Sequence, residues 1–112
     1  MEKAFAYICA PEDAGARLLA RYCRKVFELG YVPICPKQLT NSYLSLQNPD
    51  ECKEYHATAR QLLRRCRMVV VCGNETTSTM SAEIGIAEKL NLICTTLDGL
   101  DKIKYAETIY RN

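Results

Sequence analysis

Met68-Val69-Val70-Val71-Cys72 is apolar throughout, rich in β-branched side chains and stopped by Gly73. A run this short and uniform is a strand covered on both faces, the pattern of a central strand in a parallel sheet. Outward from it the chain alternates. Ala4 to Cys9 is another short apolar run, bounded by Pro11, and reads as the first strand. Glu12 and Asp13 then open a helix, where carboxylates complement the positive end of the dipole. Leu18, Leu19, Tyr22, Cys23, Val26 and Phe27 recur along it at helical spacing. Arg24 and Lys25 lie near its other end, and Gly30 fits the left-handed position that closes it.

Tyr31-Val32-Pro33-Ile34-Cys35 is the second strand, and its proline suits an edge position. Pro36 to Gln47 reads as a loop long enough to be functional. Asn48-Pro49 supplies a cap followed by proline at the first helical position. Tyr55, Ala59, Leu62, Leu63 and Cys66 then line one face of the second helix. After the central strand, Gly73 to Thr77 is a polar turn, and Ser78 or Thr79 caps a third helix reaching about Leu90. Leu92 to Leu97 is the fourth strand. Asp98-Gly99 turns the chain into a C-terminal segment read as a short helix. Strand and helix alternate with short connections, which implies a parallel sheet with helices on both faces. The expectation is one α/β domain over residues 1–112: a Rossmann-like or flavodoxin-like three-layer αβα fold. Its parallel sheet has four strands, or five, in the order 2-1-3-4, with the apolar first and third strands central.

The composition narrows the function. With 48% hydrophobic and 25% charged residues, the 112-residue chain has the make-up of an ordinary globule. A formal charge of +2 is too small a surplus to argue for nucleic acid. No apolar run is long enough for a bilayer, and the first residues lack the apolar core of a secretory leader. The reading is therefore a cytoplasmic protein without a membrane partner. Seven cysteines without a C-x-x-C pair read as reduced thiols. Cys9, Cys35, Cys72 and Cys94 all fall near strand ends, but without metal-type spacing no metal is expected. No glycine-rich phosphate loop is present, and no cofactor is expected.

In open sheets of this kind ligands bind beyond the carboxyl ends of the strands, where the strand order reverses. Tyr7 to Pro11 and Gly73 to Glu83 converge there, and the Pro36–Gln47 segment can lie across the mouth. The second segment supplies backbone N–H groups at a helix start, several hydroxyls and one carboxylate. Glu83 has Met80, Ala82, Ile84, Ile86 and Ala87 as neighbours. A carboxylate against such a surface has a raised pKa and is a candidate for catalysis. The alternative is a solvated glutamate stabilising the helix dipole, and periodicity alone leaves both open. Gly85 favours a tightly packed helix start, which would turn Glu83 toward the sheet edge. Arg17, Arg21 and Arg24 form one helical stripe and Arg60, Arg64 and Arg67 another, read as solvated faces. Arg17 alone is placed to reach a 5′-phosphate. His56 reads as a solvated helix position.

An ordered set of segments carries a resemblance. Tyr7-Ile8-Cys9-Ala10-Pro11, Tyr22-Cys23, Gly30 to Pro36, Leu63-Arg64-Arg65-Cys66-Arg67, Gly73 and Ser78-Thr79-Met80-Ser81-Ala82-Glu83-Ile84 stand at matching spacings. The chain thereby resembles the nucleoside 2-deoxyribosyltransferase-like superfamily from about Ala6 to Leu97. It is closest to a domain-of-unknown-function branch found in phage and bacterial genomes.

The resemblance implies a glutamate nucleophile at Glu83 that attacks C1′ of a deoxynucleoside, releases the base and leaves a glycosyl-enzyme for a second base or water. This parallels retaining glycosidases. It implies Tyr7 as the group that orients the nucleophile. Cys9, Ala10, Pro11, Arg17, Lys37, Gly73, Asn74, Ser78 and Met80 would be substrate-binding positions. It also implies a homo-oligomer, for which Tyr43, Tyr105 and Tyr110 could supply surface. There are departures. Asn74 stands where transferases often place an aspartate, Arg67 replaces an aspartate, Thr79 a glycine and Lys37 a histidine. The expected activity is transfer or hydrolysis of an N-glycosidic bond in a nucleoside or nucleotide. The alternative is a non-catalytic module of the same fold that binds a nucleotide or nucleotide derivative.

Overall fold

The computed structural model describes residues 2–110, with side chains described as far as residue 105. In chain order the elements are β1 (Phe5–Cys9), α1 (Ala16–Glu28), β2 (Val32–Ile34), α2 (Pro36–Thr40), α3 (Pro49–Arg64), β3 (Met68–Val71), α4 (Ser78–Lys89), β4 (Ile93–Thr96) and α5 (Leu97–Tyr110). The four strands form one parallel sheet in the order β2-β1-β3-β4. The expected α/β fold, strand order and central pair therefore stand. Tyr7 pairs with Val69 on one side and Ile34 on the other. Pro33 is tolerated because β2 is an edge strand, paired among the described residues with β1 alone.

Alternation along the strands builds two cores. Ala6, Ile8, Met68 and Val70 face Leu19 and Val26 of α1 and Leu100 of α5. Tyr7, Cys9 and Val69 face Leu63 of α3 and Met80 and Ala87 of α4. Tyr7 is thus drawn by strand parity onto the same face as α4. The outer strand β4 is largely exposed, with Ile93 55% exposed.

Several boundaries move for physical reasons. Glu12 and Asp13 do not open α1. A turn closed by Ala14 N–H to the Pro11 carbonyl at 3.0 Å holds them outside the helix, whose cap is Gly15. The Pro36–Gln47 stretch is not all loop. Proline at the first position presets the helical φ, and Thr40 Oγ1 donates to the Pro36 carbonyl at 2.9 Å, giving α2. Thr77, not Ser78 or Thr79, caps α4, accepting from Met80 N–H at 3.2 Å. Asp98-Gly99 makes no turn, because α5 begins at Leu97 directly after β4. The α1 end follows the sequence reading: Gly30 has φ +100°, and Tyr31 N–H reaches back to the Val26 carbonyl at 3.3 Å.

Asn48 caps α3 as read, its side chain accepting from Asp50 N–H at 3.0 Å and Glu51 N–H at 3.3 Å. Asn48→Ala is expected to lower stability by about 1 kcal/mol in urea denaturation, with an unchanged m-value. Gly85 does not pack tightly within the chain: a Cβ there would meet nothing within 4 Å. Gly85→Ala in the middle of α4 is therefore expected to raise the stability of the isolated chain by about 0.5–1 kcal/mol, read from the same denaturation curves.

Candidate active site

A pocket of about 320 Å³ opens beyond the carboxyl ends of β1 and β2, between α3 and α4. Its size is at the low end of the range for small-molecule sites. Tyr7, Ile8, Ala10 and Pro11 form its floor, and Thr79, Ala82, Glu83 and Ile86 of α4 one wall. Tyr55, His56, Ala59 and Arg60 of α3 face them, with Cys35, Pro36 and Lys37 completing the lining from the start of α2.

The cap at Thr77 sets the phase of α4. Met80, Glu83 and Ala87 then share its inward face, three and four residues apart. Glu83 is consequently not a solvated dipole carboxylate. The buried Tyr7 hydroxyl donates a hydrogen bond to Glu83 Oε2. The Cys9 thiol lies 3.8 Å from Glu83 Oε1 and 3.8 Å from the Met80 carbonyl.

Burial pushes the Glu83 carboxyl above its ordinary pKa. The Tyr7 and Cys9 hydrogen bonds oppose this, and the negative charge of Glu12 adds to it. Burial, then the charge of Glu83, drives Tyr7 far above the usual phenol range, so it stays a donor. Tyr55, across the pocket, is pushed up to about 12 by burial and then by Glu83.

The loop after β1 is pinned from two sides. Thr77 Oγ1 donates to Glu12 Oε1 at 2.5 Å, and this bond, foremost, holds the exposed Glu12 carboxyl below its ordinary range. Lys37 Nζ donates to the Glu12 carbonyl at 2.5 Å and to the Ala14 carbonyl at 3.3 Å. Its ammonium is spent largely on backbone, while its side chain lines the pocket. Gly73 has φ +95°, and a Cβ there would sit 3.4 Å from the Pro11 ring, so this residue lets the β3 turn lie against the floor.

Of the residues expected at a site, the structure brings Tyr7, Ala10, Pro11, Lys37 and Glu83 together in the lining, with Cys9 touching Glu83. It does not bring the others there. Met80 is fully buried beneath Glu83. Arg17, Gly73, Asn74 and Ser78 are exposed and outside the lining. Tyr55, His56 and Arg60 were missed. The sequence did carry a signal: Cys52, His56 and Arg60 recur every four residues alongside the Tyr55–Ala59 stripe, so they border its apolar face. His56 is exposed, as read, yet its ring stands 5.2 Å from that of Tyr55 on the pocket lining.

Among solved structures the chain is similar to a 2-deoxyribosyltransferase from the psychrotolerant bacterium Bacillus psychrosaccharolyticus. The match has a TM-score of 0.70 at 11% identity, covering 83% of this chain and 71% of that one. At that identity the likeness shows a common fold. No curated protein matches the chain. Residues 4–97, spanning every strand and the whole pocket lining, match the model of the family described as Domain of unknown function (DUF7768), and the chain belongs to that family.

Proposed function

We propose that the chain transfers or hydrolyses the N-glycosidic bond of a nucleoside or nucleotide, with Glu83 as nucleophile. The buried Tyr7–Glu83 hydrogen bond in the wall of the pocket carries this reading. Glu83 attacks C1′ of the sugar, and the glycosidic bond breaks with its electron pair leaving on the base. A glycosyl ester of Glu83 remains. A second base, or water, then attacks the same carbon and restores the carboxylate. Tyr7, held protonated by burial, fixes the attacking carboxylate and receives no proton from it. The apolar surface of Ile8, Ala82 and Ile86 suits a base or sugar face, and the fold shared with a 2-deoxyribosyltransferase supports a nucleoside ligand.

A second reading has its own observation. Asn74 cannot donate a proton as an acid and lies outside the lining, and Glu12 is held in its ionised form. With no acid at the Asn74 position to protonate the leaving base, a module that binds a nucleotide without turnover is the alternative. We also infer a homo-oligomer from the exposed Ile93 on the edge strand β4, the exposed Leu90 at the end of α4 and the exposed Tyr43 and Tyr105; the Tyr110 side chain lies outside the described residues. A cytoplasmic location fits the free cysteines, and among the described residues no helix is long and apolar enough to cross a membrane.

The test is a chromatographic assay of base release and exchange over a panel of deoxynucleosides and their monophosphates, with and without an acceptor base. Release or exchange establishes the enzyme. Unchanged ligand that nevertheless binds, by calorimetry, establishes the module.

A further inference from the structure

The face that α3 turns to the pocket changes character from depth to mouth. Ala59 and Leu63 are buried, whereas His56 and Arg60 are exposed and still line the pocket. His56 and Arg60 stand one helical turn apart, which sets their side chains side by side. Neither is engaged by the protein. Among the described residues Arg60 makes no hydrogen bond or ion pair, and His56 has only its ring contact with Tyr55. The helix does not neutralise them. Its carboxylates, Asp50, Glu51 and Glu54, all lie in its first half, and the positions three and four residues from Arg60 are His56, Ala57, Leu63 and Arg64.

The carboxylates of the lining are occupied elsewhere. Glu12 accepts from the Thr77 hydroxyl, and Glu83 from Tyr7 and Cys9. Lys37 adds its charge from the start of α2, but two of its three donors go to the Glu12 and Ala14 carbonyls. Arg17, the cation expected to reach a 5′-phosphate, lies outside the lining, and so does Arg64. Arg60 is therefore the arginine of its stripe that reaches the pocket. Its guanidinium carries five donors in a planar fork that fits two phosphate oxygens at once. Imidazole adds an N–H donor in either protonation state. Deeper in, Ile8, Ala59, Ala82 and Ile86 present apolar surface. An apolar depth under a cationic mouth suits a ligand with a flat, weakly polar body and an anionic tail.

We propose that Arg60 and His56 form a phosphate subsite at the pocket mouth, which makes the ligand a nucleoside 5′-monophosphate in preference to the free nucleoside. Base and sugar enter the apolar depth toward Glu83. The phosphate stays at the wet rim, with Arg60 forked onto two of its oxygens and His56 donating to a third. The subsite rests on the nucleoside reading of the pocket, but not on turnover: a transferase, a hydrolase and a binding module would all use it. Because the rim is solvated, its contribution is modest and falls with added salt.

The experiment titrates the full chain by calorimetry, at low and high salt, with the four deoxynucleosides, their 5′-monophosphates, ribose 5-phosphate and inorganic phosphate. Where a ligand turns over, kcat/KM is compared instead. At low salt at least one monophosphate is expected to bind about 10-fold more tightly than its own nucleoside, the size of one hydrogen bond between charged groups. Arg60→Ala is expected to remove that advantage and leave nucleoside affinity unchanged, and His56→Ala to remove part of it. Arg60 is exposed and unpaired among the described residues, so the variant keeps the fold. Arg64→Ala, one turn further along α3 and outside the lining, is expected to keep the full advantage. Equal affinity for nucleoside and monophosphate overturns the subsite alone. So does an equal loss in Arg60→Ala and Arg64→Ala, or inorganic phosphate binding as tightly as the monophosphate. Binding of neither nucleosides nor monophosphates overturns the nucleoside reading itself, and the subsite with it.

Discussion

Glu83→Ala is expected to abolish base release and base exchange, lowering turnover on the order of 10⁴-fold or more, as loss of a covalent nucleophile does. Ligand affinity falls far less, because the remaining lining is mostly apolar or backbone. The loss is not a folding defect, and stability measurements can show this in a particular direction. The folded-state pKa of Glu83 is raised above its unfolded value, chiefly by burial. For a group raised in this way, the contribution to stability is complete below the unfolded pKa and is lost as pH rises through the folded one. At neutral pH the buried carboxylate therefore weighs against folding. Glu83→Gln, which keeps the shape and an acceptor for Tyr7, is expected to match the wild type at about pH 4 and to exceed it in urea midpoint as the pH rises. An inactive variant that is the more stable of the two would assign the carboxylate to function. A Glu83→Gln chain less stable than wild type at every pH would make the residue structural.

How much of this was legible depends on which residues carried the signal. Val69, Val70 and Ala6 are buried by sheet neighbours on both sides, so their hydrophobicity alone located the central strands and fixed the order. Asn48-Pro49 and Gly30 mark helix ends through local chemistry and were readable for the same reason. Glu12 misled because its partner, the Thr77 hydroxyl, is 65 residues away. Gly85 misled because a small residue signals close approach only where something approaches. The site divides in the same way. Strand parity could place Tyr7 with α4, whereas the facing wall of Tyr55, His56 and Arg60 depends on where α3 crosses the pocket, which its own periodicity does not state.

Tyr7→Phe separates orientation from chemistry. The substitution removes a hydrogen bond to a charged acceptor while keeping a ring in a fully packed position. Such bonds are worth about 1.5–3 kcal/mol, so a loss in kcat/KM of roughly 10- to 100-fold is expected. The pH dependence carries the sharper information. The Tyr7 bond is the largest influence holding the Glu83 pKa down against burial. Without it the carboxyl ionises at higher pH, and the acidic limb of the rate profile moves upward. The deficit of the variant is therefore largest at low pH and narrows as Glu83 becomes ionised. A residue that only packed would lower the rate by the same factor at every pH, so parallel profiles would remove Tyr7 from the mechanism. The converging profile would instead identify the phenol as the group that keeps a buried carboxylate ready to attack at neutral pH.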